Sequence, residues 1–254
     1  MNLPNPFPGL AVNVNAAVQI STPDAQSNPI KFKKAGKNGT LIAIVLDESG
    51  SMGICRDTTI VGFNEFVQGQ KAAEATAGAG YLTLVKFEGY KVNTVYQGRP
   101  LSEVPMLDHA GYTPAGGTNL LDAIGETINS VNAVLAASKK KDRPGVIITI
   151  MTDGEENSSR RFNNQQIKDM VAAAEKADWT FTFLGANIDA FSVGSRFGMS
   201  AANSVNYSTA NMGATMASVS ASTSRMRMAK SAGVSTAELY STGLYTTDEL
   251  KSMK

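Results

Sequence analysis

The stretch Val45-Leu46-Asp47-Glu48-Ser49-Gly50-Ser51-Met52 decides how this chain reads. An apolar run, Leu41 to Leu46, stops at a carboxylate followed by two hydroxyls spaced two apart. A buried strand that ends in Asp-x-Ser-x-Ser delivers polar groups to the carboxyl edge of a sheet, where open α/β sheets bind ligands. Carboxylate and hydroxyl oxygens are hard donors and suit a hard cation over a thiophilic one.

Outward from that stretch, apolar periodicity alternates between strand and helix. Thr58 to Ala77 carries Ile60, Phe63, Phe66 and Val67 at helical spacing, with Gly78 and Gly80 as its stop. Tyr81 to Phe87 predicts a strand, and Lys91 to Tyr96 an antiparallel edge strand beside it, turned at Glu88-Gly89-Tyr90. The Gly/Pro-rich loop Thr113 to Asn119 feeds a helix with Leu120, Leu121, Ile124, Ile128, Val131 and Val134 on one face. Gly145 to Met151 is the next strand and ends at Thr152-Asp153-Gly154. A helix over Gln165 to Ala177, a strand over Trp179 to Leu184 and a short helix over Ala190 to Phe197 follow. Ser204 to Tyr207 then predicts a last strand, Thr209 to Ala232 a last long helix, and the tail a small helix with Thr247 as N-cap. This alternation predicts an α/β fold: a doubly wound, mostly parallel sheet with one antiparallel edge strand and helices on both faces.

The expected organisation is an N-terminal arm over residues 1–38, one domain over 39–232 and a C-terminal tail over 233–254. Prolines at 4, 6, 8, 23 and 29 exclude a long helix from the arm. Val12, Val14, Ala16, Val18 and Ile20 alternate as in a half-buried strand, which must pair with this chain's own sheet or with a neighbouring subunit. The basic run Lys31 to Lys37 reads as a solvated linker.

Composition removes several function classes. A net charge of +1 leaves no basic excess for a phosphate backbone, so nucleic acid is not an expected partner. The single cysteine, Cys55, rules out an internal disulfide and a cysteine-based zinc site. No apolar run approaches the ~20 residues of a membrane span, and residues 1–8 lack the features of a signal peptide. The expectation is a protein without a membrane partner, not secreted by a signal peptide.

Two core strands end in aspartate, Asp47 and Asp153, and parallel strand ends converge on one edge. Two carboxylates at close range repel, and a divalent cation between them relieves this. Ser49, Ser51 and Thr118 would add neutral oxygens. Taken singly, each aspartate reads better as a helix N-cap than as a metal ligand. Glu48, Glu155 and Glu156 read as a solvated acidic rim, Cys55 as a small half-buried thiol, and His109, the single histidine, sits before the Thr118 loop and is not expected to be catalytic.

Together, Asp47-x-Ser49-x-Ser51, Thr118 in Gly-Gly-Thr-Asn-Leu-Leu-Asp-Ala-Ile and Asp153 in Met-Thr-Asp-Gly resemble the von Willebrand factor type A domain and its metal-ion-dependent adhesion site. The resemblance runs from residue 38 to about 207, with the three motifs in the family's order. It implies a metal set of Asp47, Ser49, Ser51, Thr118 and Asp153 around a divalent cation, Mg²⁺ first, with Mn²⁺ or Ca²⁺ as alternatives. Ser49 and Ser51 would ligate directly, Thr118 and Asp153 would exchange between direct and water-mediated contact, and Asp47 would act mainly through water. A carboxylate from a partner protein would complete the shell without chemical turnover.

The motifs look like bacterial and bacteriophage type A domains. That implies a non-catalytic interaction module, first as a structural component of a phage particle and alternatively as an intracellular partner of an ATPase, hence a virion or bacterial cytoplasmic location. A Mg²⁺-dependent phosphohydrolase is the enzyme alternative. The haloacid dehalogenase pattern wants a second Asp two residues after the first, and here that position is Ser49.

Overall fold

A computed structural model describes Phe32 and residues 39–254. The expected arm strand over residues 12–20 and most of the basic linker lie outside the described residues. Among the described residues six strands form one sheet: β1 (Thr40–Asp47), β2 (Gly80–Glu88), β3 (Lys91–Pro100), β4 (Gly145–Thr152), β5 (Thr180–Ala186) and β6 (Ser204–Tyr207). Their spatial order is β3-β2-β1-β4-β5-β6, with only the β2–β3 pairing antiparallel. The connections run outward in opposite directions from β1 and β4, so the topological switch point lies between these two neighbours. Thr40 pairs with Gly145 and Leu46 with Met151, which sets Asp47 one residue and Asp153 two residues past the last paired position, at the same edge.

Among the described residues eight helices flank the sheet: α1 (Arg56–Ala72), α2 (Glu74–Ala77), α3 (Leu120–Ala136), α4 (Asn164–Lys176), α5 (Ala190–Arg196), α6 (Met212–Ser231), α7 (Thr236–Thr242) and α8 (Thr247–Ser252). Every residue of β1 is buried because alternate side chains feed two cores. Leu41, Ala43 and Val45 join the layer that holds the apolar faces of α3, α4 and α5. Ile42, Ile44 and Leu46 join the layer under α1 and α6, with Phe63, Phe66, Met216 and Val219. Among the described residues no helix is long and apolar enough to cross a membrane.

Three local expectations are corrected. The helix expected over residues 58–77 breaks after Ala72, and a single turn, α2, continues it. The cause is Arg227: its buried guanidinium donates to the Gln70 carbonyl, the acceptor that Glu74 N–H would use in an unbroken helix. The N-cap of α8 is Thr246, not Thr247, in a capping box with Glu249. The tail holds a further helix, α7, capped by Ser235 with Glu238.

The segment after Ala232 packs back on the sheet. Tyr240 Oη accepts from Phe181 N at 2.9 Å and donates to Glu175 Oε1 at 3.0 Å. Tyr245 Oη lies 3.2 Å from Thr182 Oγ1, and Ser208 N donates to the Met253 carbonyl at 2.7 Å. Phe32, inside the run read as solvated linker, is only 2% exposed and meets Tyr81 edge-on at 4.8 Å.

Candidate metal centre

The site is assembled at the carboxyl ends of β1 and β4. Asp47 is the last residue of β1 and has no solvent exposure. Its Oδ1 accepts from Ser49 N at 2.7 Å, and its Oδ2 accepts from Thr152 Oγ1. These bonds bend the chain back over the strand end, so that Ser49 and Ser51 open the tight turn Gly50–Cys55 that leads into α1. Ser49 Oγ lies 3.1 Å from Ser51 Oγ, and Ser51 Oγ donates to Asp153 Oδ1 at 2.7 Å. Asp47, Ser49, Ser51 and Asp153 are thus linked across the two central strands, Asp47 through the Ser49 backbone N–H and the other three through their side-chain oxygens.

Thr118 arrives from the loop before α3. A Cβ added at Gly154 would come within 3.0 Å of Thr118 Oγ1, which places this hydroxyl against the end of β4 beside Asp153. The structure therefore brings together all five residues expected at the site. Neither aspartate is a helix N-cap: Ser49 and Cys55 occupy the caps after β1, and Asn163 caps α4.

The loop that carries Thr118 is fixed from three sides. Gly50 N donates to the Gly116 carbonyl at 3.1 Å, and Ala115 N to the Glu48 carbonyl at 2.8 Å. Gly89 N, in the β2–β3 turn, donates to the Gly117 carbonyl at 2.6 Å. Gly116 has φ +66°, and a Cβ there would meet Glu88 Oε2 at 2.5 Å; a Cβ at Gly117 would meet Ser158 Oγ at 2.5 Å. The Gly-Gly pair is thus what lets this loop sit between two others.

Three contributors escaped the sequence reading. Tyr112 is fully buried and donates from Oη to the Asp47 carbonyl at 2.6 Å. Asp122, in the first turn of α3, accepts from the backbone N–H groups of Arg160, Arg161 and Phe162 at 2.9–3.0 Å. In return the β4–α4 loop caps α3: Asn157 Oδ1 accepts from Thr118 N, Glu156 Oε2 from Leu121 N and Ser159 Oγ from Asp122 N. Acceptors at a helix N-terminus satisfy its free N–H groups and oppose its dipole. One signal was available: Asp122 stands among Leu120, Leu121, Ala123 and Ile124, a charged group in an otherwise apolar turn.

The acidic rim is corrected in the same region. Glu48 is buried, paired with Lys86 Nζ at 2.7 Å, and accepts from Thr113 N at 2.6 Å. Glu156 is committed to α3, and Glu155 alone is an exposed rim residue, 3.7 Å from Arg196. His109 is at the surface, bonded to Asp57 at 2.8 Å. Cys55 is buried, which pushes its thiol pKa up.

Burial pushes the Asp47 carboxyl up to about 6, against the opposing bonds from Thr152 and Ser49, and the nearby Asp153 adds to the rise. Burial also raises Asp153. A positive charge at this point would favour both carboxylates. Among the described residues no group of three or more His, Cys, Asp and Glu could hold a metal. The donor set on offer is two carboxylates plus hydroxyls, all hard oxygens, which fits an ion such as Mg²⁺ that keeps several of its waters.

No family model and no curated protein matches this sequence. Solved structures do match. Proximal thread matrix protein 1 from the mussel byssus superposes with TM-score 0.53 at 12% identity, over 76% of this chain and 48% of that one. A further structure of that protein has a zinc-occupied metal-ion-dependent adhesion site. The vWF domain of the type V pili tip protein Mfa5 from Porphyromonas gingivalis gives TM-score 0.53 at 11% identity, over 74% of this chain and 96% of the domain. The pilus adhesin SpaC from Lactobacillus rhamnosus GG, in its open conformation, gives 0.55 at 12%, over 75% of this chain and 30% of that one. The chain thus spans about half the length of the byssus protein and under a third of the adhesin. The strand order, the antiparallel edge strand and these superpositions agree: the chain has the von Willebrand factor type A fold.

Proposed function

We propose that this chain is a metal-dependent protein-interaction module whose cation is held by Asp47, Ser49, Ser51, Thr118 and Asp153, and whose partner supplies an acidic side chain. The observation that carries the reading is the run of side-chain oxygens Ser49–Ser51–Asp153 at the β1/β4 switch point, tied to the Asp47 carboxylate by the Ser49 N–H, with the Ser51 hydroxyl on Asp153 at 2.7 Å. With Ser49 and Ser51 as the direct ligands and Asp47 acting through water, the cation keeps much of its charge, so a partner carboxylate in place of a water completes the shell. Binding and holding, with no bond broken, is the chemistry this donor set suits. The zinc-occupied site of the byssus protein of the same fold supports a metal here, and Mg²⁺ is our choice of ion.

The setting implied by the sequence resemblance, a structural subunit of a phage particle, would make the partner another virion protein. An adaptor of an ATPase would use the same site. Co-purification separates them, since an isolated monomer that captures an ATPase contradicts the virion setting.

Calorimetric titration with Mg²⁺ tests the ligand set. Ser49→Ala combined with Ser51→Ala is expected to abolish binding while circular dichroism stays unchanged. At a concentration of 100 Kd, Mg²⁺ would stabilise the unaltered chain by about 2.7 kcal/mol and leave the double variant unaffected. Equal affinity in both proteins would rule out these ligands.

A further inference from the structure

The rim of the site carries one basic side chain with a different status from its neighbours. Lys86, Lys91 and Arg196 each have a carboxylate within 4.0 Å, and Arg161 contacts both Asp122 and Glu126. Arg160 is exposed and, among the described residues, is in no ion pair. Its guanidinium instead lies over the ring of Tyr90, 4.4 Å from the ring centroid. Tyr90 is itself 74% exposed, on the β2–β3 turn.

Both residues belong to loops tied directly to the residues that carry the site. Gly89, beside Tyr90, bonds to Gly117, and Asn157, three residues before Arg160, bonds to Thr118 N at 2.8 Å. The backbone of Arg160 is itself held, its N–H donating to Asp122 Oδ2 at 3.0 Å. A charged head is thus supported on an aromatic face, without an ion-pair partner among the described residues, on a loop whose Asn157 bonds to Thr118 N. Stacking on a ring orients a guanidinium while leaving its N–H groups at the edge available for an acceptor.

We infer that Arg160, braced on Tyr90, is a second anion contact beside the cation, and that the partner this face fits is an acidic protein segment with two carboxylates close together. One carboxylate goes to the cation and the other to Arg160. The inference rests on the cation site proposed above and adds the partner's charge pattern. Charge complementarity carries it: a cation and an unpaired guanidinium on one rim reward a doubly acidic segment over a singly acidic one.

The test uses the full chain, ¹⁵N-labelled, titrated by NMR in Mg²⁺ with capped glycine peptides. One peptide has a single aspartate, and the others add a second acid one to four residues to either side. At least one two-acid peptide is expected to bind roughly three- to tenfold tighter than the single-acid peptide. Arg160→Ala should erase that advantage while leaving Mg²⁺ affinity and single-acid affinity as they were. Lys139→Ala, an exposed charge preceding the opposite end of β4, should retain it. An advantage that survives Arg160→Ala, or no two-acid peptide that gains, overturns the inference and leaves the cation site standing. A single-acid peptide that fails to bind, or binds equally in a chelator, overturns the cation site and this inference together.

Discussion

Asp47 is a carboxylate with no exposure to water, held by a backbone N–H, a threonine hydroxyl and its own strand. Thr152 spends its hydroxyl on two tasks, donating to Asp47 Oδ2 and accepting from Gly154 N at 3.1 Å. Thr152→Val keeps the shape and leaves these groups unsatisfied in a buried place. A loss of about 1–3 kcal/mol in urea denaturation is expected, together with weaker Mg²⁺ binding in calorimetry. The residues that touch the expected cation were legible in the sequence because strand ends in Asp and the Asp-x-Ser-x-Ser spacing are local signals. Tyr112 and Asp122 were not, because each acts on a segment distant in sequence: Tyr112 on the carbonyl of Asp47, Asp122 on the backbone of residues 160–162. Glu48 was misread for the same reason, since its partner Lys86 comes from a neighbouring strand.

Helices α1 and α6 show how one substitution can have opposite signs on facing elements. A Cβ at Gly62 would stand 2.7 Å from Cβ and Cγ of Met216, so α6 sits on α1 only because this position has no side chain. Gly62→Ala is expected to destabilise by about 1–3 kcal/mol despite alanine's better helix propensity. At Gly213, near the start of α6, nothing lies within 4 Å of an added Cβ. Gly213→Ala is expected to stabilise by up to ~1 kcal/mol, and thermal melts of the two variants measure both signs. Long periodic elements such as α3, α4 and the central strands were legible because hydrophobic spacing alone specifies them. The break between α1 and α2 was not, because its cause, Arg227, lies far along the chain and reaches the Gln70 carbonyl only in the folded state. Helix α7 has a capping box, Ser235 with Glu238, that was there to be read; its few apolar residues gave too little periodicity to draw attention.

Over the whole molecule, the segment after Ala232 is part of the packed fold. Arg225 in α6 holds Glu249 in α8 through two bonds, at 2.7 and 2.6 Å. Burial alone would raise the Glu249 pKa, but the bonds and charge of Arg225 and the Thr246 cap outweigh it, so it lies below its ordinary 4.5. The folded pKa is therefore the lower one. The stabilisation is complete above 4.5 and is lost as pH falls through the folded value. Glu249→Gln is expected to cost up to about 1 kcal/mol at neutral pH, with the gap to the unaltered chain closing in acid. Urea titrations at a series of pH values follow it, and a pH-independent gap would mean that the charge plays no part.

The doubly wound order and the antiparallel edge strand were legible because alternating strand and helix periods leave few topologies. The return of the tail to the sheet was not, since it depends on tyrosine hydroxyls finding Phe181 and Thr182 in a strand some sixty residues earlier.

The central claim is that a cation sits where β1 and β4 end. Anomalous diffraction from crystals of the chain soaked in Mn²⁺ tests it most directly. The account predicts one peak at coordination distance, on the order of 2.0–2.3 Å, from Ser49 Oγ and Ser51 Oγ, with Thr118 and Asp153 around it. A peak elsewhere, or crystals saturated with Mn²⁺ that show none beside these hydroxyls, would contradict it.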